Sequence, residues 1–172
     1  MKRVPSDGEL ASYANQLYML FGLDDDLATP NIIEAAYYVR DVPSTELNPF
    51  ILWSLLHPET GGYVRMREYD DNGRLPKPHH LKRLFGEFLI ACREALTLPV
   101  DGETGIRLWQ VGAFGRAIRP FHDSNTITFL LIENRLRLDC GLRWNHRCFS
   151  KETFEQYYAK VFRTNFAWAF EP

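Results

Sequence analysis

Cysteine is scarce and odd in number: Cys92, Cys140 and Cys148 are the only three in 172 residues. An odd count without visible secretory context points to reduced thiols rather than a disulfide framework. His146-x-Cys148 together with Cys140 gives only three ligands, at a spacing that matches no common zinc pattern, so a metal reading has little support. No apolar run approaches the roughly 18–20 residues needed to span a bilayer. Met1-Lys2-Arg3-Val4-Pro5-Ser6-Asp7 leads into no apolar secretory core, so no cleavable signal peptide is expected. The expectation is a cytoplasmic chain, or one exported by a route that needs no such signal. No internal repeat, low-complexity tract or Gly/Ser linker divides the sequence, which argues for a single domain over residues 1–172.

What is present is ordinary for a globular chain: 45% apolar and 24% charged residues, with 14% aromatics that suit a core of large side chains. The net charge of −2 is unevenly spread. From residue 104 onward ten basic residues face six acidic ones (+4), while the first 103 residues hold ten against sixteen (−6). The basic part contains Arg116, Arg119, Arg135, Arg137, Arg143, Arg147 and Lys151. That distribution favours a phosphate-bearing ligand or an acidic partner, although a solvated helix face produces the same count. Neither a membrane nor a nucleic acid is expected as partner.

The periodicity is mostly helical. Ser6-Asp7-Gly8-Glu9 has capping-box spacing for a helix reaching about Phe21. Asp24-Asp25-Asp26 reads as a turn or acidic loop. Thr29-Pro30 and Asn48-Pro49 both read as an N-cap followed by a first-turn proline, opening two short helices before Pro58. The first of these carries Ile32, Ile33, Ala36, Tyr37 and Val39 as its apolar face. Gly62 to Pro76 looks extended, and Asp70-Asp71-Asn72-Gly73 is a strong tight-turn signal, predicting one β-hairpin. A long helix should follow from Pro78 or His79 to about Leu96, with Leu81, Leu84, Phe85, Phe88, Leu89 and Cys92 on one face. The spacing then predicts a helix from Ile106 to Ile118, in which Gly112 and Gly115 imply close approach of a neighbouring helix. Pro120 breaks it. The next helix starts after Asp123 or Ser124 and stops at Cys140-Gly141. The last begins at Ser150, with Phe154, Tyr157, Tyr158, Val161 and Phe162 as core candidates.

The segment Ile118-Arg119-Pro120-Phe121-His122-Asp123-Ser124-Asn125-Thr126-Ile127 carries the functional signal. Ser124, Asn125 and Thr126 begin a helix whose first amides lack intrahelical partners, so its head favours an anion. Asp123 beside them could grip Mg²⁺ through one carboxylate; equally, Asp123 or Ser124 could be an ordinary N-cap.

This loop resembles the active-site motif of the Fic/Doc family, His-Pro-Phe-x-Asp-Gly-Asn-Gly-Arg. It matches at Pro120, Phe121, Asp123 and Asn125. The order of elements is similar too: a hairpin opening Gly62-Tyr63-Val64-Arg65, a proline-rich entry to a long helix, the loop, then a helix carrying Glu133-Asn134 and closing at Gly141. The likeness covers about residues 58–145. It implies a mainly α fold, a Fic-like helical core with one β-hairpin flap, flanked by helices within 6–57 and 150–165. It further implies transfer of a nucleotidyl group, AMP, onto a protein hydroxyl. Asp123 would hold Mg²⁺ with ATP or another nucleotide, Ser124, Asn125 and Thr126 would position phosphate, and Phe121 would anchor the loop. Tyr63, Val64, Arg65 and Met66 would dock the target protein as an added strand; a surface hairpin that merely closes the fold is the other reading.

Two departures weigh against that chemistry. Arg119 stands in place of the family's catalytic His, and Ile127 in place of its phosphate-binding Arg. A guanidinium has no lone pair with which to accept a proton. Loss of a general base costs on the order of 10²–10⁴ in rate, and loss of a charge-stabilising Arg on the order of 10³ or more. Together these amount to roughly 7–9 kcal/mol of transition-state stabilisation if additive. His122 is a substitute base only for a substrate seated differently, being three residues, or roughly 10 Å of extended chain, beyond the vacant position. Ser124 and Thr126 replace glycines where backbone must approach phosphate. The expectation is therefore a catalytically impaired pseudoenzyme that binds a protein partner and a nucleotide. The alternative is an active transferase with altered chemistry, or an unrelated helical protein. The Ser/Thr-x-x-x-Glu-Gly/Asn inhibitory helix of some family members has no convincing match.

Overall fold

The computed structural model describes residues 4–22, 28–58, 74–147 and 150–171. Helix α1, Asp7–Leu17, opens on the expected capping box: Ser6 Oγ accepts from the Glu9 amide at 3.3 Å, and the Ser6 amide donates to Glu9 Oε2 at 2.9 Å. It buries Leu10, Tyr13, Ala14 and Leu17, the i, i+3, i+4, i+7 stripe of one helical face, and runs on into a π-turn over Tyr18–Gly22. Helix α2, Thr29–Asp41, starts one residue earlier than expected. Ala28 is the N-cap and offers no side-chain bond, so Pro30 sits within the first turn but Thr29 is not the cap. The acidic run 24–26 lies outside the described residues.

Helix α3, Pro49–Leu56, is capped as read, with Asn48 Oδ1 accepting from the Phe50 amide at 2.9 Å. A turn of 3₁₀ helix, Pro78–His80, leads into α4, Leu81–Thr97. Its core face is Leu81, Leu84, Phe88 and Ala95; Leu89 is 39% exposed and does not belong to it. Helix α5, Thr104–Ile118, begins two residues before the expected Ile106. Asp101 and Thr104 build its entry, the Asp101 amide donating to Thr104 Oγ1 at 2.8 Å.

Helix α6, Asn125–Asp139, is buried on nearly every face and packs against α2, α3, α4 and α5. Its C-terminal half is fastened to the end of α2. Arg135 Nη1 donates to the Val39 and Arg40 carbonyls (3.3 and 2.7 Å), the last carbonyls of a helix that lack intrahelical partners. Asp139 accepts from the Ser44 amide at 3.1 Å and pairs with Arg135. Gly141, at φ 75°, ends the helix in the left-handed conformation that suits glycine.

Helix α7, Lys151–Tyr157, is capped by Ser150, whose Oγ accepts from the Thr153 amide at 3.3 Å, and continues through a π-turn at Tyr158–Phe162. Phe154 and Phe162 enter the core as expected; Val161 is 39% exposed and does not. Phe162 and Phe166 stack towards Phe114 of α5, closing the C-terminal end of the chain over the bundle.

The molecule is mainly helical, and among the described residues there is no β-strand. The expected hairpin turn and the docking residues Tyr63, Val64, Arg65 and Met66 lie outside the described residues. The return to α4 is described, and its Lys77 amide donates to the Ala169 carbonyl at 2.7 Å. Among the described residues no helix is long and apolar enough to cross a membrane.

Candidate functional site

Close packing of α5 on α6 shapes the loop between them. A Cβ placed on Gly115 would lie 2.1 Å from Phe129 Cδ1, far inside any real contact, so only glycine lets the two helices approach this closely. Helix α5 ends one turn later at Arg119, which takes the left-handed conformation (φ 51°, ψ 57°) while its amide still reaches the Gly115 carbonyl at 3.3 Å. Pro120 cannot extend the helix. Phe121 is buried, stacked on Trp53 of α3 with ring centres 5.5 Å apart and 13° between the planes.

Asn125, the first residue of α6, clamps the loop. Its Oδ1 accepts from the Phe121 amide at 3.0 Å, and its Nδ2 donates to the Phe121 and Asp123 carbonyls at 2.9 and 3.2 Å. The indole N–H of Trp53 donates to the same Asp123 carbonyl at 3.2 Å. Ser124 is left-handed (φ 50°, ψ 17°) at the N-cap and makes no side-chain cap bond; its carbonyl accepts from the Thr128 amide and hydroxyl.

A residue the sequence did not single out completes the cluster. His57, at the end of α3, brings Nε2 to 2.8 Å from Ser124 Oγ and 2.9 Å from Asp123 Oδ1, and its ring lies over Trp53. His122 Nδ1 stands 3.8 Å from the other carboxylate oxygen of Asp123. Burial pushes the Asp123 carboxyl up. The hydrogen bond and charge of His57, joined by the charge of His122, outweigh it and hold the group below the usual aspartate range. Ser124, His57 and Asp123 do not form a hydrolase relay. There the carboxylate meets Nδ1 and the hydroxyl meets Nε2, whereas here both crowd one nitrogen.

The loop therefore sorts its residues sharply. Arg119 and His122 are exposed, Asp123 is one-third exposed, and Thr126 is half-buried. Ser124 and Asn125 are buried, and Ile127 is sealed in the core at 0% exposure. The expected basic surround is thinner than the charge count suggested. Arg135 and Arg137 bind backbone carbonyls elsewhere, and Arg116 lies over the Phe154 ring at 3.8 Å.

The residues as folded do not suit a magnesium ion. Mg²⁺ wants near-octahedral oxygen ligands. The loop's one carboxylate faces imidazole nitrogens on both sides, the Ser124 hydroxyl meets His57, and the Asn125 amide is committed to the backbone. Among the described residues no group of three or more His, Cys, Asp or Glu side chains is arranged to hold a metal. Cys92 is a free thiol, pushed up to about 12 by burial, and Cys148 lies outside the described residues. No family model, curated protein or solved structure matches this chain.

Proposed function

We propose that the chain is a diverged Fic-type protein that lacks efficient nucleotidyl transfer and works by binding a protein partner, with a nucleotide as a second ligand. The observation that carries this reading is the backbone at Ser124. It is left-handed at the position where the Fic motif has its first glycine, and only glycine takes that conformation without penalty. A non-glycine residue holding φ 50° is a trace of a loop shape that the motif's glycine suits. Pro120 ending α5, buried Phe121 and the clamp made by Asn125 support the same reading.

The chemistry points away from transfer. Arg119 supplies no base, and the position of the phosphate-binding Arg is filled by a core isoleucine. Partner recognition falls to the exposed groups of the loop, Arg119 and His122, with Asp123 between α5 and α6. The flap segment with Tyr63, Val64, Arg65 and Met66 would receive an extended peptide by strand addition.

A second reading has one observation in its favour. Exposed His122 beside the Asp123 carboxylate is an orienting pair of the kind a general base uses. In that reading a target hydroxyl oxygen bonds to the transferred phosphorus, the bond to the leaving phosphate breaks, and His122 takes the hydroxyl proton. Incubation with labelled nucleoside triphosphates and a cell lysate separates the two. The expected result is no covalent label on any protein; label that disappears in His122→Ala would establish the transferase reading instead. Affinity capture with wild type against Arg119→Ala and Val64→Pro should lose the partner in either variant.

A further inference from the structure

His57 lies just outside the span that carries the Fic resemblance, yet it makes close side-chain contacts at the loop. Its Nε2 meets the Asp123 carboxylate at 2.9 Å and the Ser124 hydroxyl at 2.8 Å, and it is only 9% exposed. The ring is fixed from behind by Trp53, at 5.1 Å between centres, and Trp53 also bonds the Asp123 carbonyl. Helix α3 is itself anchored, its Asn48 amide donating to Tyr38 Oη at 3.2 Å and its Leu56 carbonyl accepting from Asn31 Nδ2 at 3.2 Å. The imidazole is thus a built part of the loop.

We propose that His57 is an internal occupant of the α6 head, standing where a divalent cation would otherwise lie against Asp123, and that it keeps the loop ordered and closed to metal in the resting chain. The inference deepens the Fic-type reading, because it rests on Asp123 being the residue that would grip the ion. The carboxylate needs a partner in a site that is mostly out of water. In an active enzyme of this kind a magnesium ion would supply one; here an imidazole on a neighbouring helix does. With Nε2 held 2.9 Å from Oδ1, an ion bound to that oxygen on the His57 side, at metal–oxygen distances of about 2.0–2.1 Å and with its own waters, would overlap the imidazole ring. Opening the site to metal therefore requires α3 to move, or His57 to be removed.

The test uses Mn²⁺ alone as probe, followed by the electron-spin signal of the free ion, on the whole chain. Wild type is expected to bind no ion at this loop at concentrations up to about 1 mM, a weak-affinity limit. His57→Ala should bind one Mn²⁺ at least about tenfold more tightly, a change of about 1.4 kcal/mol. The gain should vanish when Asp123→Asn is added. His57→Gln, which keeps a polar side chain against Ser124, decides the matter if the alanine variant does not fold by far-ultraviolet circular dichroism. Equal binding by wild type and either folded His57 variant, including none by any of them, overturns the inference. Tight binding by wild type that is lost in Asp123→Asn also overturns it while leaving the Fic-type reading standing. Failure of the partner-binding reading would show separately, as nucleotide label transferred by the wild-type chain.

Discussion

Gly115 offers the sharpest test of how α5 and α6 are joined. In Gly115→Ala the new methyl would meet the Phe129 ring at 2.1, 2.3 and 2.7 Å. The ring has nowhere to turn: Phe88 stands edge-on to it at 5.2 Å and Phe121 lies nearly parallel at 6.3 Å. Overpacking of this kind costs about 1–3 kcal/mol, and the better helix propensity of alanine returns about 1 kcal/mol. The expected net effect is a loss of up to about 2 kcal/mol, or up to about 8 °C in Tm for a chain of this size. Gly86→Ala is the control. It sits on the exposed face of α4 with nothing within 4 Å of its Cβ, so it should gain about 1 kcal/mol from propensity alone. Urea and thermal unfolding of the two variants should move in opposite directions. Phe129→Leu, by giving the methyl room, should show a favourable coupling with Gly115→Ala in a double-mutant cycle. If Gly115→Ala stabilises as much as Gly86→Ala, the close crossing of α5 and α6 is wrong, and with it the shape assigned to the loop.

Other substitutions probe the loop and the core beneath it. Ile127→Arg, which places the residue of the Fic motif at this position, should cost about 3–5 kcal/mol because it puts an unpaired charge at a fully buried position; an unchanged melt would show that position 127 can open towards the loop. Asn125→Ala removes the side-chain partner of the Phe121 amide and carbonyl, while the Asp123 carbonyl keeps the Trp53 indole, and should cost about 2–3 kcal/mol by urea unfolding. A loss under about 0.5 kcal/mol would mean the clamp does not hold the loop. Burial pushes the Glu133 carboxyl up, against the pull of Asn145 and Arg137, so the folded chain keeps a proton that the unfolded chain releases. That contribution is complete below the unfolded value and fades as pH rises through the raised folded one. Stability should therefore fall over that window, and Glu133→Gln should flatten the fall. Asp139 works in the opposite sense. Burial raises it, but Arg135 and Ser44 prevail and hold it low, so its share of stability is lost on acidification and Asp139→Asn should remove that acid slope.

Much of the helical order was legible because the signals were local. Ser6 with Glu9, Asn48 with Pro49, and Ser150 each satisfy a helix amide within three residues, and all three cap as read. The close contact implied by Gly115 was also visible, since a glycine inside a helix has few other uses. Thr29 misled because a threonine before a proline resembles a cap, while the chain enters the helix one residue sooner. Leu89 and Val161 fell on apolar stripes that are wider than the surface their neighbours cover. At the loop, the ends of both helices could be placed from Pro120 and Asn125. The left-handed turns at Arg119 and Ser124 could not, because neither residue type announces that conformation. His57 was missed for a different reason. Its partners are 66 and 67 positions further along the chain, and nothing near it in sequence distinguishes it from a histidine ending an apolar helix.

The tethering of α3 bears on where this protein can be cut. A piece trimmed to the stretch that resembles Fic proteins, about 58–145, would discard Trp53 and His57, and with them the floor on which Phe121 rests. It would also strip α2 from Arg135 and Ser44 from Asp139, removing the backbone groups that hold this partly buried ion pair in place. The smallest portion able to keep its architecture must begin upstream of α2. The motif and its scaffold are inseparable here, and the flanking helices are as much a part of the loop as the loop's own residues.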